Sequence, residues 1–215
     1  MKQFIVVGLG RFGSSVAKTL AENDYNVLAI DTDEDRVQMI ASAVTHAVEA
    51  DATDEDALKT LGVRNFDVAV VSIGDNIHAN ILATLILKEL GVPYVVVKAQ
   101  DTLHGKVLSK VGADRVVYPE RDMGVRIAHN LISSNVLDYI EFAPDYSIVE
   151  IIATDNMEGK SLSELQFRSN YGVNVMAIKR GKDLNVTPGA NDKVLEGDVL
   201  IVMGQNDDLD KLKHL

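Results

Sequence analysis

The 215 residues include no cysteine, which rules out a disulfide framework and thiol chemistry. Basic residues are scarce: 21 Lys and Arg stand against 32 Asp and Glu, a formal net charge of −11. A surface for nucleic acid or anionic lipid needs clustered cations, so neither partner is expected. No apolar run approaches the ~18 residues of a membrane span, so no direct insertion into a bilayer is expected. The first residues enter a strand pattern at once, which leaves no room for a signal peptide and predicts a cytoplasmic protein. No internal repeat and no low-complexity segment interrupts the chain.

Hydrophobic residues make up 47% of the sequence and charged ones 25%, enough to build a core. The most informative segment is Val6-Val-Gly8-Leu-Gly10-Arg11-Phe12-Gly13, an apolar strand running into G-x-G-x-x-G. Gly8 permits the tight turn, Gly10 lets backbone approach a pyrophosphate, and Gly13 brings helix and sheet together. The N–H groups of the helix that begins near Phe12 face the phosphates. Asp31 closes the next strand, Asn26–Ile30, roughly 20 residues on, where an acid accepts hydrogen bonds from ribose hydroxyls. A carboxylate there repels a 2′-phosphate and disfavours NADP. Arg11 adds a guanidinium suited to phosphate oxygens, which hints at more phosphate charge than a dinucleotide carries, such as a γ-phosphate.

Strands are predicted at 3–8, 26–30, 46–49, 68–72, 94–98 and 115–118, alternating with helices near 12–22, 34–42, 55–61, 76–90 and 102–111. Continuous apolar strands such as Val68–Val71 and Tyr94–Val97 are covered on both faces, as in a parallel sheet. The fold class is therefore α/β: a Rossmann-type doubly wound domain over 1–121, a connecting helical segment over 122–138, and a small α+β lobe over 139–215. The connecting helix is placed at Asp122–Val136, with Met123, Ile127 and Leu131 at four-residue spacing. In the small lobe, strands are expected at 147–153, 173–179, 184–187 and 198–203, short helices at 161–165 and 207–212, and a hairpin turn at Arg180–Asp183. The helix 76–90 is apolar nearly all round, more than a helix flanking a sheet needs. Its outer face is expected to pack on another subunit.

Asp31, Asp51, Ser72-Ile73-Gly74, Lys98 and Glu120 all fall at the carboxyl ends of strands, the rim where open α/β sheets bind ligands. The acid-rich runs Asp31–Asp35 and Asp51–Asp56 lack the glycine and glutamate of a calcium loop and read as helix starts. Gly159-Lys160-Ser161 lacks the first glycine of a Walker A loop. Of five histidines, none shows metal-ligand spacing, and only His104 lies near the rim. A dehydrogenase needs an acid or base beside the nicotinamide and a substrate domain, and roughly 75 residues are too few for the usual one. An NAD-dependent oxidoreductase is therefore the alternative, and a ligand-gated regulatory module is favoured.

Together, Ile5–Gly13, Asp31, Asp51-Ala52-Thr53, Gly62–Phe66, Ala79–Leu90, Val97-Lys98-Ala99-Gln100 and Tyr118–Met123 resemble the Ktr/Trk-type potassium-uptake regulatory subunits. These are proteins of the RCK class (regulators of potassium conductance), and the likeness, greatest to the Ktr subunits of Gram-positive bacteria, spans the whole chain. It implies a non-enzymatic cytosolic ring, a homo-octamer built as a tetramer of dimers, docked peripherally on a membrane potassium-transporting subunit. ATP or ADP, with NAD as another candidate, would occupy the Rossmann site. Arg11 would hold the γ-phosphate and Asp31 the ribose, while Thr32, Asp33, Asp51, Ala52, Ile73, Gly74, Asp75, Lys98, Ala99, Gln100 and His104 would line the rest. Glu120 would sit at the dimer interface and help hold a divalent cation, magnesium or calcium, near the phosphates. The resemblance also implies cyclic di-AMP at a two-fold interface of the C-terminal lobe. There Arg168 would neutralise phosphate, Asn174 would meet an adenine edge, and Val175, Ile178 and Pro188 would pack on the base.

Overall fold

The computed structural model describes residues 2–132, 136–143 and 145–214. Two compact units divide the chain, Met1–Pro119 and Glu120–Leu215.

In the first unit, strands and helices alternate: β1 (Gln3–Val7), α1 (Arg11–Glu22), β2 (Asn26–Asp31), α2 (Glu34–Ile40), β3 (His46–Glu49), α3 (Glu55–Thr60), β4 (Val68–Val71), α4 (Ile77–Glu89), β5 (Tyr94–Lys98), α5 (Thr102–Val111) and β6 (Arg115–Val117). All pairings are parallel, in the order β3-β2-β1-β4-β5-β6. Parallel strands need crossovers, and the helices supply them on both faces. One core, with Ile5, Val7, Ile30, Leu58, Leu87 and Leu108, packs one side of the sheet; Val6, Leu9, Ala17, Val27 and Ile40 pack the other. Helix α4 buries Ala83, Ile86 and Leu87 but leaves Leu82 and Leu85 exposed, so its apolar character exceeds what the unit itself covers.

The second unit opens with α6 (Pro119–Ile132), followed by β7 (Val136–Ala143), β8 (Tyr146–Ile152), α7 (Leu162–Leu165), α8 (Phe167–Tyr171), β9 (Asn174–Arg180), β10 (Asp183–Asn185), β11 (Val199–Gln205) and α9 (Asn206–Asp210). The strands form an antiparallel sheet in the order β10-β9-β11-β8-β7 over a core that includes Ile151, Phe167, Val173, Leu200 and Leu212. The expected hairpin is present: Asp183 pairs with Arg180 across a two-residue turn in which Gly181 takes φ +59°.

Several elements depart from expectation, helix α8 among them, for which none was expected. The helix expected over 122–136 runs Pro119–Ile132, and Val136 already lies in β7; the segment expected to be a crossover helix over 122–138 is thus helix and then strand, with 133–135 outside the described residues. Strand β7, an edge strand, answers to no expected element. Strand β10 spans Asp183–Asn185, ending before Thr187. On α6, Met123, Ile127 and Leu131 are 50%, 50% and 82% exposed, an apolar stripe the unit leaves uncovered.

Candidate functional site

The strand order reverses between β1 and β4, which is the switch point where doubly wound sheets leave a crevice. Each glycine of the loop that follows β1 is there for a different reason. Gly8 takes φ +87°, and a Cβ on it would lie 2.8 Å from the Ser72 carbonyl carbon. Gly13 lets α1 touch the loop, since its Cβ would stand 1.9 Å from the Gly8 carbonyl oxygen. Gly10 is neither strained nor crowded: φ is −65° and nothing lies within 4 Å of a Cβ built there. The open space beside Gly10 is a cradle that a side chain would fill.

Helix α1 also begins differently from its neighbours. Side-chain oxygens of Asp33, Asp54, Asn76 and Asp101 cap α2, α3, α4 and α5. Gly10 offers α1 no side-chain cap, and its first turn carries no acid. Its leading N–H groups and the positive end of its dipole therefore remain available to an anion. Arg11, exposed, is the first residue of this turn, while Phe12 turns its ring into the core.

Asp31 ends β2 beside this loop and is 8% exposed. Its Oδ2 accepts from the Leu9 N–H at 2.5 Å and its Oδ1 from the Asp33 N–H at 3.0 Å. Arg36 bridges Asp31 at 3.7 Å and Asp33 at 3.2 Å. The acid is thereby tied to the glycine loop and keeps lone pairs for ribose hydroxyls. Thr32 follows it, exposed. Past β3, exposed Asp51 holds its own turn by accepting from the Thr53 N–H at 2.8 Å and hydroxyl at 2.7 Å, and Ala52 is buried.

The loops after β4 and β5 complete the rim. Ile73 and Gly74 are half-buried, Asp75 is exposed, and the Lys98 ammonium lies 3.8 Å from where a Gly74 Cβ would be. Ala99 is buried, and the Gln100 side-chain amide donates to the Gly74 carbonyl, tying one loop to the other. His104 is buried, with Nδ1 accepting from the Gln100 N–H at 3.3 Å and Nε2 without a partner among the described residues. Burial pushes its imidazole below the ordinary value, with the Asp101 carboxylate opposing. One rim-holding residue has no counterpart among those expected from sequence: Asn80, which donates from α4 to the carbonyls of Ile73 and Lys98.

The other expected residues belong to the second unit. Glu120 is exposed in the first turn of α6. No three His, Asp or Glu side chains converge as a metal centre among the described residues. Arg168 on α8 and Asn174 at the start of β9 are exposed, Val175 and Pro188 are half-buried, and Ile178 packs into the lobe core, which leaves it little surface for a base.

Against known proteins, the TrkA-N domain matches residues 4–119 and the TrkA-C domain residues 146–215. Ktr system potassium uptake protein C of Bacillus subtilis (strain 168) is 52% identical over 212 residues, covering 99% of this chain and 96% of that protein. The GsuK RCK domain superposes with a TM-score of 0.71 at 18% identity, covering 100% of this chain and 47% of that one. GsuK bound to ADP is 26% identical with a TM-score of 0.52, covering 61% of this chain and 34% of that one.

Proposed function

Because the chain belongs to the TrkA-N/TrkA-C family that includes the Ktr potassium uptake proteins, we propose that it is a nucleotide-gated regulatory subunit of a potassium uptake system. ATP and ADP compete for the β1–β4 crevice, and the occupant sets the shape that a membrane potassium-transporting subunit reads. The observation that carries this reading is the uncapped start of α1 beside the open cradle at Gly10, with Asp31 tied to the same loop. Phosphates fit the helix start and a ribose fits the acid. The ADP complex of the 26% identical GsuK supports the ligand class. The protein acts by binding and not by catalysis, at the inner face of the cell membrane.

In the same proposal the chain assembles as an octameric ring of dimers. The exposed apolar residues of α4 and α6 are the surfaces such an assembly would cover. Glu120 holds a divalent cation, magnesium or calcium, once a second copy brings its own carboxylate near, because two such charges repel unless a cation lies between them.

Calorimetric titration of the full chain with ATP, ADP and NAD tests these assignments. Arg11→Ala should weaken ATP about tenfold or more while leaving ADP nearly unchanged, since a charge-assisted contact contributes about 1.5–3 kcal/mol. Magnesium should strengthen ATP binding to wild type, and Glu120→Gln should remove that increment. Equal losses for ATP and ADP would reject the role of Arg11, and tighter binding of NAD than of either would favour a dinucleotide site.

We also propose cyclic di-AMP as ligand of the C-terminal lobe, where a two-fold ligand suits a two-fold interface. The exposed pair Arg168 and Asn174 offers a cation for phosphate and an amide for an adenine edge. Arg168→Ala with Asn174→Ala should lower cyclic di-AMP affinity by about a hundredfold, two polar contacts being lost together. Undiminished binding to the double variant would reject the site.

A further inference from the structure

Helix α4 buries two polar side chains completely, Asn80 and Thr84, in an otherwise apolar setting. The Asn80 amide donates both its protons: one to the Ile73 carbonyl at 2.8 Å and one to the Lys98 carbonyl at 3.2 Å. The first carbonyl lies in the loop beyond β4 and the second ends β5, where the next loop of the rim begins. The Asn80 backbone carbonyl accepts from the Thr84 hydroxyl at 2.7 Å, which anchors this turn from one turn further along the helix. Asn80 Oδ1 has no partner among the described residues. Burying an amide with an idle acceptor is costly, and a leucine, which has the same branched shape, would avoid that cost. The two donated bonds are what a leucine could not supply. No other uncharged side chain of this size has two N–H donors to offer two carbonyls at once.

We propose that Asn80 is a positioning residue for the nucleotide site: it sets the spacing of the 73–75 and 98–100 loops and makes them one body with α4. The Gln100 side chain joins the same loops through the Gly74 carbonyl, so two amides hold them, one from α4 and one from the β5 loop. A ligand that meets the pre-spaced loops does not have to order them, which raises affinity without any contact to Asn80 itself. The linkage runs both ways. A ligand that shifts either loop shifts α4 with it, and α4 exposes Leu82 and Leu85 three residues apart on one face. The nucleotide state is thereby passed to a surface available to a neighbouring subunit.

This inference rests on the crevice being a nucleotide site, and its test separates the two. The full-length protein and its Asn80→Leu, Asn80→Ser and Asn80→Asp variants are titrated with ADP and ATP, and amide exchange is followed in the unliganded proteins. Asn80→Leu should lower both affinities about tenfold and speed exchange at 73–75 and 98–100, while exchange in β1 and β2 reports an intact fold. Asn80→Ser, which keeps one donor, should fall between. Asn80→Asp has the right shape but no proton at high pH. Burial raises the pKa of its carboxyl, so part of the lost affinity should return as pH is lowered and one donor is restored. Asn80→Leu should show no such recovery. Wild-type affinity and loop exchange in folded Asn80→Leu and Asn80→Ser would overturn the proposal. Accelerated loop exchange in the variants of a wild type that binds neither nucleotide would uphold the clamp and overturn the nucleotide reading instead.

Discussion

Gly13→Ala should cost the first unit about 3 kcal/mol and abolish most nucleotide binding, whereas Gly10→Ala should cost chiefly binding, with a much smaller loss of stability. The added methyl at position 13 would stand 1.9 Å from the Gly8 carbonyl oxygen and 3.2 Å from Ser72 Cβ. Neither obstacle is the far end of a flexible side chain. The Gly8 carbonyl cannot retreat freely, because the same residue donates its N–H to the Ile30 carbonyl at 2.8 Å and holds the loop to β2. Helix α1 must therefore lift from the sheet. Overpacking of this kind costs about 1–3 kcal/mol, and a backbone obstacle puts it at the upper end. The lifted helix carries its N–H groups away from the phosphates, and losing several such contacts lowers affinity by about a hundredfold. At position 10 the backbone is already in a conformation open to alanine and nothing crowds the methyl. Alanine is a poorer N-cap than glycine, so stability should fall by no more than about 1 kcal/mol. The methyl would instead occupy the space a phosphate needs. Urea unfolding beside ADP titration separates the two variants, and full ADP affinity in Gly10→Ala would reject the cradle.

The glycine loop and Asp31 were legible in the sequence because their requirements are local. A tight turn after an apolar strand and an acid ending the next strand place themselves once both strands join one parallel sheet. Strands β1, β4 and β5 were legible because burial on both faces writes a continuous apolar run. Strand β7 was not. Its pairing with β8 shifts register between Val136 and Asp138 and again between Glu141 and Ala143, so the strict alternation that marks a half-buried strand is broken. Ile132 and Val136 also stand four apart, which extends a helical period across the junction. Asn80 escaped for a different reason. In the sequence it is one polar residue in an apolar helix, and its partners, seven positions before and 18 after, become neighbours only when β4 and β5 pair. Periodicity finds elements; it does not find side chains whose work is tertiary.

The second unit should depend on one ion pair that its surface half conceals. Asp198 is fully buried, and Arg180 meets it with Nε and Nη2 at 2.8 Å each while remaining half exposed. Asp198 Oδ2 also accepts from the Leu195 N–H at 2.8 Å, and Arg180 donates to the Lys193 carbonyl at 3.1 Å. One carboxylate thereby joins β9 to the turn that leads into β11. Arg180→Met would keep much of the packing but strand a buried charge. Removing the arginine leaves the buried carboxylate without its counter-charge, so Arg180→Met should be clearly less stable at pH 7, though by less than a fully buried pair would lose, because solvent already screens the guanidinium. Arg180→Lys should recover part of that, because it restores charge without the two-pronged geometry. The guanidinium holds the Asp198 carboxyl below the usual carboxylate range, against the opposing effect of burial. A depressed folded-state pKa contributes stability that is present above the unfolded value near 4 and is lost as pH falls through the folded one. Without Arg180, burial pushes the carboxyl up with only the Leu195 N–H opposing it, so the variant gains relative stability as the group takes its proton. The gap between wild type and Arg180→Met should therefore narrow from both sides as pH falls from neutrality through and below the usual carboxylate range. Amide exchange in β8, β9 and β11 reads this unit apart from the first, and a gap independent of pH would show that Asp198 is not the group that Arg180 stabilises.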